Sequence, residues 1–457
     1  MNTEALQALA AGLRGETIAA ADDRYDEARK VWNSTVDKRP AAIVRARGVA
    51  DVIDAVNFAR EQGMGVSVRG GGHHVSGAAI LDGGLVIDLS EMRSVRVDVA
   101  ARRVRAEGGA LLMDLDRETL VHGLVVPTGL FSETGVAGLT LSGGYGWLRR
   151  KYGLSCDNLV SADVVTADGR FVQASADENP DLFWALRGGG TDLGVVTSFE
   201  FRAHPIDELV YFFLIAYPVD EAPRVLKALD EFMRTAPREA SPLAVIWTVP
   251  PTENYPEQVW HKPFVAVLGP YAGPAEEGEE VYEPLRKLGE PLLEISERMP
   301  FSIVQKLFDE EYPRDGRYYW KSTYLNRLDD EAIATLVKMG ELRPSPATSL
   351  DIWPMGGAIA DFGPQDSPLA NRDASYLIGI ESNWRSPQDD AANIAWARAT
   401  QAALAPYSTG ASYLNFEDAT EAGRVRTAYG PSYDRLVAVK RRYDPTNLFR
   451  SRRGLID

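Results

Sequence analysis

The spacing of apolar and polar positions changes repeatedly along the first 205 residues, and each change predicts a short element. Leu6, Leu9, Ala10 and Leu13 recur at helical spacing and predict a helix over 3–14. A loop with Asp22, Asp23 and Asp26 follows, and Pro40-Ala-Ala-Ile-Val-Arg then reads as a strand. Residues 49–62 (VADVIDAVNFAREQ) carry one apolar face and are closed by Gly63, which predicts an amphipathic helix. Val66 and Val68 alternate with Ser67 as in a half-buried strand, and Leu85-Val-Ile-Asp-Leu predicts another. Segments 95–98 and 103–107 read as a hairpin, and 111–122 as a helix. Strong strands over 159–166 and 194–201 flank a helical stretch, 180–186. After Pro205 the texture shifts to aromatic strands (Val210-Tyr-Phe-Phe-Leu-Ile, 243–249, 263–268) among charged helices such as 222–234 and 390–405. That alternation predicts an antiparallel sheet backed by helices. The tail from Tyr413 to Arg450 returns to glycine and tyrosine punctuation and includes a basic helix over 435–442. No internal repeat is present. The fold class is α+β with two domains, divided as 1–205, 206–405 and 406–457.

Bulk composition narrows the function. The 457 residues are 45% apolar, enough for two or three packed cores. A net charge of −16, from 65 acidic and 49 basic side chains, argues against broad nucleic-acid or anionic-membrane binding. The single cysteine, Cys156, excludes an intramolecular disulfide framework and a cysteine-rich metal site, so no metal is expected. It points to a reducing compartment. The first sixteen residues carry Glu4, Arg14 and Glu16 and lack the apolar core of a signal peptide, and no uncharged apolar run reaches spanning length. A soluble globular protein of the cytoplasm, monomeric or homodimeric, is the expectation.

The candidate chemistry lies in the glycines. Arg69-Gly-Gly-Gly-His-His-Val-Ser-Gly77 leaves the strand at 66–68. Three residues without Cβ allow close backbone approach, and successive N–H groups in such a turn can cradle an anion. A phosphate-bearing cofactor is the natural guest, with His73 placed to touch it. Alone, this loop reads equally well as a plain tight turn. It is neither a Walker A loop nor a dinucleotide fingerprint, because it runs on into Ala78-Ala-Ile and another strand. The second cluster, residues 127–146, shifts the balance. It places Gly129, Gly135, Gly138, Gly143, Gly144 and Gly146 among the apolar Val136, Leu139 and Leu141. Buried backbone wrapped around a ligand fits that mixture better than a surface loop.

These two segments, with Arg149–Arg170, Pro180–Thr197 and Tyr443-Asp-Pro-Thr-Asn-Leu-Phe-Arg450, resemble the berberine bridge enzyme-like FAD-linked oxidases. That group belongs to the vanillyl-alcohol oxidase superfamily with its PCMH-type FAD domain. The bacterial branch, which includes 6-hydroxynicotine oxidases, looks nearest. The resemblance implies that 1–205 and 406–457 together hold FAD, while 206–405 covers the reactive face of the flavin. It implies oxidation of a C–OH or C–N bond by hydride transfer to the flavin, with molecular oxygen reoxidising it to give hydrogen peroxide. A dehydrogenase of the same fold using another acceptor is the alternative.

Carried over residue by residue, the family's Arg-x-Gly-Gly-His motif puts the covalent flavin link on His73. Cofactor contacts are implied at Arg69, Gly70, Gly71, Gly72, His74 and Gly77. In the second cluster they fall at Thr128, Gly129, Thr134, Gly135, Gly138, Gly143, Gly144 and Gly146. Tyr152, Asp157, Gly194, Val195, Val196 and Asn415 complete the set. Some relatives add a cysteine link in the second cluster; the matching position here is read as Gly135, so a single histidine link is expected. Tyr413 and Asn415 would share a strand face, with Tyr413 as the proton acceptor and Tyr376 on a second active-site strand. Glu381 lies off the face that Tyr376 occupies, and Leu377 and Gly379 stand where plant relatives place polar residues. Tyr319, Trp320 and Trp353 read as core or as pocket lining. The sequence departs from the family at Asp192-Leu193 and after Arg450, where Ser451-Arg-Arg-Gly-Leu-Ile-Asp replaces an asparagine-rich end.

Overall fold

The computed structural model describes residues 3–418, 424–450 and 455; residues 451–454 of the divergent terminus lie outside them. Four short strands, β1 (Glu16–Ala19), β2 (Ala42–Arg45), β3 (Val66–Arg69) and β4 (Leu85–Asp88), form a first sheet in the order β1-β2-β4-β3. Its β2, β3 and β4 run parallel, and the amphipathic helix Val49–Glu61 is the crossover between β2 and β3. Val52, Ala55, Val56 and Ala59 of that helix pack on Val44, Leu85 and Ile87. A second sheet contains β5 (Val95–Asp98), β6 (Arg103–Glu107), β8 (Leu159–Val165), β9 (Phe171–Ser175) and β10 (Val195–Arg202), ordered β5-β6-β10-β8-β9. Two-residue strands β7 (Leu124–Val125) and β11 (His204–Pro205) pair beside it. The C-terminal segment returns to the first sheet: Val66 donates its N–H to Leu448, and Arg450 donates back to Val66.

The remaining strands build one seven-stranded sheet. They are β12 (Leu209–Pro218), β13 (Leu243–Thr248), β14 (Pro263–Tyr271), β15 (Leu293–Pro300), β16 (Arg317–Leu325), β17 (Ser349–Pro354) and β18 (Tyr376–Trp384). The order is β15-β12-β14-β13-β17-β18-β16, and all of its pairings are antiparallel. Helices Ala222–Met233, Asp330–Glu341 and Asp390–Leu404 cover one face, where Val225, Leu229, Leu336 and Ala397 meet Phe213, Ile246, Ile352 and Ile380. The opposite face, with Phe212, Ala266, Trp353 and Leu377, packs on Tyr145, Trp147 and Leu154 of the N-terminal part. A sheet buried on both faces reads as nearly continuous apolar runs, which hides which face is which.

Two local features differ from the sequence reading. Residues 136–141 inside the second glycine cluster form a short helix with Val136, Ala137 and Leu141 buried. Tyr413 and Asn415 do not share a strand face; Leu414–Phe416 is a single 3-10 turn.

Candidate active site

A cleft opens between the two glycine segments and the free face of the seven-stranded sheet. One wall is Gly70, Gly71, Gly72, His73 and His74, and the facing wall is Gly129, Phe131, Thr134, Gly135, Gly138 and Tyr145. The sheet supplies the roof through Trp320, Asp351, Trp353 and Glu381, and Asn415 and Phe416 close one side. The two glycine walls interlock. A Cβ built on Gly71 would lie 2.4 Å from the Gly135 nitrogen, and one on Gly135 would lie 2.3 Å from the Gly71 nitrogen. Backbone meets backbone at that point, so no side chain fits at either position. Gly138, by contrast, faces open space.

His73 lies on Trp32, with ring centroids 4.3 Å apart and planes 16° from parallel, and Phe131 stands 6.0 Å away on its other side. Trp32 is itself fixed by Tyr318 at 3.7 Å and by donation from Nε1 to the Tyr312 carbonyl. Burial, assisted by the positive charge of Arg314, pushes the His73 imidazole down to about 3. The ring is therefore neutral at physiological pH and keeps a nitrogen lone pair for bonding. His74 turns the other way. Its Nδ1 accepts from the Ser76 N–H, so Nε2 is the nitrogen that donates to the Leu414 carbonyl at 3.1 Å.

Several expected cofactor contacts do other work. Arg69 is not on the cleft wall: its guanidinium pairs with buried Asp88 at 2.6 Å and donates to the Ala28 and Lys30 carbonyls, pinning the segment that carries Trp32. Gly77 has φ +63 and leaves room for the Val36 side chain. Thr128 accepts from Gln305, and its carbonyl occupies the space a Gly146 side chain would need. Gly143 and Gly144 turn with positive φ (+116 and +91) beneath Tyr413. Tyr152 stacks on His204 at 4.0 Å, and Asp157 is bound to Arg372 at 2.7 Å. Gly194, Val195 and Val196 sit at and in the start of β10, against β8.

Three assignments are corrected. Tyr376 is not in the site: even-numbered residues of β18 face the helices, and its hydroxyl donates to Asp230 of the helix Ala222–Met233 at 2.7 Å. Gly135, read as the match of a relative's linking cysteine, has no room for a Cβ in this chain. The side chain this loop presents to His73 is Phe131. Cys156 is buried beside Asp157, away from the cleft. Tyr413 stands behind the wall rather than on it. Its oxygen accepts from the Gly144 N–H at 3.1 Å and from Asn415 Nδ2 at 2.8 Å, and burial pushes the phenol up to about 12 against those bonds. It is a positioning residue that holds Asn415 at the cleft. Tyr413→Phe is expected to lower kcat by about tenfold, from a displaced Asn415. Loss of a general base would cost about 10²–10⁴-fold. The orphaned Gly144 N–H should cost roughly 1–3 kcal/mol of stability. Steady-state kinetics and a urea melt check both.

The roof carries what the sequence reading left aside. Strands β17 and β18 pair with Asp351 opposite Gly379 and Ser349 opposite Glu381, and Trp320 of β16 lies opposite Glu381 on the other side. Asp351 and Glu381 are thus diagonal neighbours on one face, both buried, with only the bare Gly379 between them. The readable signal is polarity: Glu381 and Asn383, at odd positions of a fully buried strand, carry the large polar side chains of that run.

A slot of interlocked glycine backbones, a neutral histidine on one wall and an aromatic, carboxylate-bearing roof suit a planar, phosphate-bearing redox cofactor such as FAD. Comparison with known proteins agrees. Residues 40–175 match the model of an FAD binding domain, and residues 412–455 match that of the berberine and berberine-like group. The FAD-linked oxidoreductase YgaK of Bacillus subtilis is 32% identical over 96% of each chain. The (R)-6-hydroxynicotine oxidase of Paenarthrobacter nicotinovorans is also 32% identical, again over 96% of each. The crystal structure of 6-hydroxy-D-nicotine oxidase from Arthrobacter nicotinovorans superimposes with a TM-score of 0.87 at 30% identity, covering 97% of this chain and 98% of that one. With its two-domain α+β fold and its cofactor slot, the chain belongs to the berberine bridge enzyme-like FAD-linked oxidoreductases.

Proposed function

We propose that this protein is an oxidase whose FAD is tethered by one covalent bond to His73. It would oxidise a C–OH or C–N bond of a small molecule and return the electrons to molecular oxygen as hydrogen peroxide. The observation that carries the reading is the neutral His73 imidazole, clamped between Trp32 and Phe131 on the wall of the glycine slot. Bound FAD supplies the two-electron acceptor for the hydride, and the protein supplies binding, orientation and electrostatics.

The chain's own residues divide that labour. Interlocked Gly71 and Gly135 set the width of the slot. Trp32 and Phe131 hold the imidazole in one orientation, so its lone pair is directed rather than tumbling. Trp320, Trp353 and Phe416 would exclude water above it, with Asp351, Glu381, Thr134, Thr191 and Asn415 as polar groups lining the cleft. Oxidation of the family's relatives of known substrate — a hydroxynicotine in one, a glucooligosaccharide in another — is consistent with either bond type.

The test is an anaerobic titration with a panel of small alcohols, sugars and amines, followed by air. Bleaching of the flavin by a panel member, then recovery of colour with one peroxide per flavin, is the expected result. Recovery only after adding an artificial electron acceptor would make the protein a dehydrogenase. Absence of bleaching by every class would overturn the oxidation itself.

A further inference from the structure

We propose that Asp351 and Glu381 act as one proton-sharing, singly charged unit that recognises the ammonium group of a small amine substrate and takes its proton. This rests on the reading of the cleft as an oxidation site and narrows its substrate class to cationic amines.

Four observations carry it. The two carboxyls share the roof face of β17 and β18, and both line the cleft. A Cβ on Gly379 would lie 3.3 Å from the Asp351 Cβ and 3.4 Å from Glu381 Oε1, so the missing side chain is what lets them stand together. Their protein partners are neutral: Ser349 donates to Asp351 Oδ1 at 2.8 Å, and Tyr312 donates to Glu381 Oε2 at 2.8 Å. Among the described residues neither carboxylate has an ion-pair partner. The Arg149 guanidinium, 5.1 Å from the Trp353 ring, spends its N–H groups on the carbonyls of Gly146, Ser241, Pro242 and Pro354. Finally, Trp320, Trp353 and Phe416 line the same cleft, so the two carboxyls stand in aromatic rather than aqueous surroundings.

Buried carboxylates without a cation keep a proton. Burial raises Asp351 to about 7, and burial together with the neighbouring Asp351 charge raises Glu381 well above its ordinary value. The pair titrates as a unit: it holds two protons below about pH 7, and one proton and one negative charge above it. Arg314, whose charge bears on His73, is paired at the surface with Glu133 at 2.6 Å, and the titratable groups that line the cleft add no positive charge. His73 is neutral, His74 is engaged with Leu414 and Ser76, and Tyr145 and Tyr312 are phenols raised by burial. A lone negative charge among Trp320, Trp353 and Phe416 favours a cationic guest, because the ring faces attract the same charge. A sugar or neutral alcohol leaves it uncompensated.

The proton accounting closes. The ammonium gives one proton to the singly charged pair, leaving a neutral amine under an uncharged roof. The adjacent C–H bond then breaks with both electrons going to the flavin as hydride, and the amine lone pair forms the C=N bond of an iminium. Nothing beyond the acceptor of the proposed function is needed.

The experiment uses the holoprotein with benzylamine, N-methylbenzylamine and 2-phenylpyrrolidine against benzyl alcohol, 1-phenylethanol and glucose. Binding is read, without turnover, from perturbation of the flavin spectrum in the anaerobic first mixing phase and from thermal shift. The amines should bind at least tenfold more tightly than the neutral compounds. Their affinity should fall on the acid side of neutrality as the pair gains its second proton. Asp351→Asn and Glu381→Gln, close in shape and relieved of buried charge, should fold. Each should weaken amine binding by about 10–100-fold, as for a lost charge-assisted hydrogen bond, and change alcohol binding by much less. Equal binding of amines and alcohols, no binding of any amine, or amine binding untouched in both variants would each overturn the proposal. Amine binding without flavin bleaching would sink the oxidation and leave the ammonium site standing. Bleaching by alcohols or sugars with no amine preference would do the reverse.

Discussion

Gly135→Ala is expected to yield a protein that melts early and carries no flavin. The added methyl would stand 2.3 Å from the Gly71 nitrogen and 2.8 Å from its Cα. Gly135 has φ −74, an ordinary value, so the penalty is contact and not backbone strain. Both offended atoms are main chain, and no rotamer change relieves them. Neither loop is free to retreat. The Gly135 side is tied by Leu112 N–H to the Thr134 carbonyl and Val136 N–H to the Ala110 carbonyl, both at 2.9 Å. The Gly71 side is held by the Arg69–Asp88 pair, and a Cβ at Gly70 would already meet the Gly108 carbonyl at 2.9 Å. Overpacking of this kind costs roughly 3 kcal/mol or more. The informative comparison is Gly138→Ala, whose methyl points into open space within a short helix. It should fold with stability equal to or about 0.5–1 kcal/mol above wild type, yet bind less flavin, since the methyl enters the cleft. Differential scanning fluorimetry and the ratio of flavin to protein absorbance separate the two effects. A Gly135→Ala protein with native stability and full flavin content would show that the interlock is not what shapes the slot.

The glycine walls were legible because clustered glycines have few other uses: they are costly in regular structure unless something must come close. Gly70–Gly72, His73, Gly129, Gly135 and Asn415 all reach the cleft, as that logic expects. The logic failed where the glycines or polar residues serve each other. Gly146 accommodates the Thr128 carbonyl, Gly77 accommodates Val36, and Arg69 and Asp157 satisfy buried partners of opposite charge. None of these contacts is local in sequence, so spacing cannot reveal them. The roof was misread for a different reason. A strand buried on both faces gives no apolar alternation, so nothing in the residues of β18 corrects the resemblance that puts Tyr376 in the active site. Tyr413-Leu-Asn415 was misread because a two-residue spacing is compatible with a strand or a tight turn, and only the packing of Phe416 against Trp320 and Tyr413 selects the turn.

His73→Ala should abolish the covalent adduct completely while sparing the fold. Acid precipitation of the wild type should give a yellow pellet. The variant should give a colourless pellet with free FAD in the supernatant, and the denatured variant should have the mass of the bare polypeptide. The slot does not depend on the imidazole, since Gly71, Gly135 and the roof remain, so the variant should still bind FAD reversibly. Its turnover should fall, because an electron-withdrawing imidazole no longer biases the ring toward accepting hydride. For a two-electron couple each 30 mV or so of lost potential is worth about tenfold in the equilibrium. His74→Ala is the matched control: its ring serves the Leu414 carbonyl and Ser76, so the adduct should persist. The neutral state of His73 adds a pH signature. Its folded value, pushed down to about 3, lies below the unfolded value of 6.5. The unfolded chain therefore binds a proton that the folded one refuses, and apoprotein stability should decline as pH falls from 6.5 toward 3. That part of the decline should vanish in His73→Ala. Between pH 6.5 and 9 the imidazole does not change charge, so attachment of added FAD to the apoprotein should proceed at a nearly constant rate. A rate that climbs steeply across that range would mean the nucleophile must first lose a proton, contrary to a neutral imidazole kept uncharged by burial.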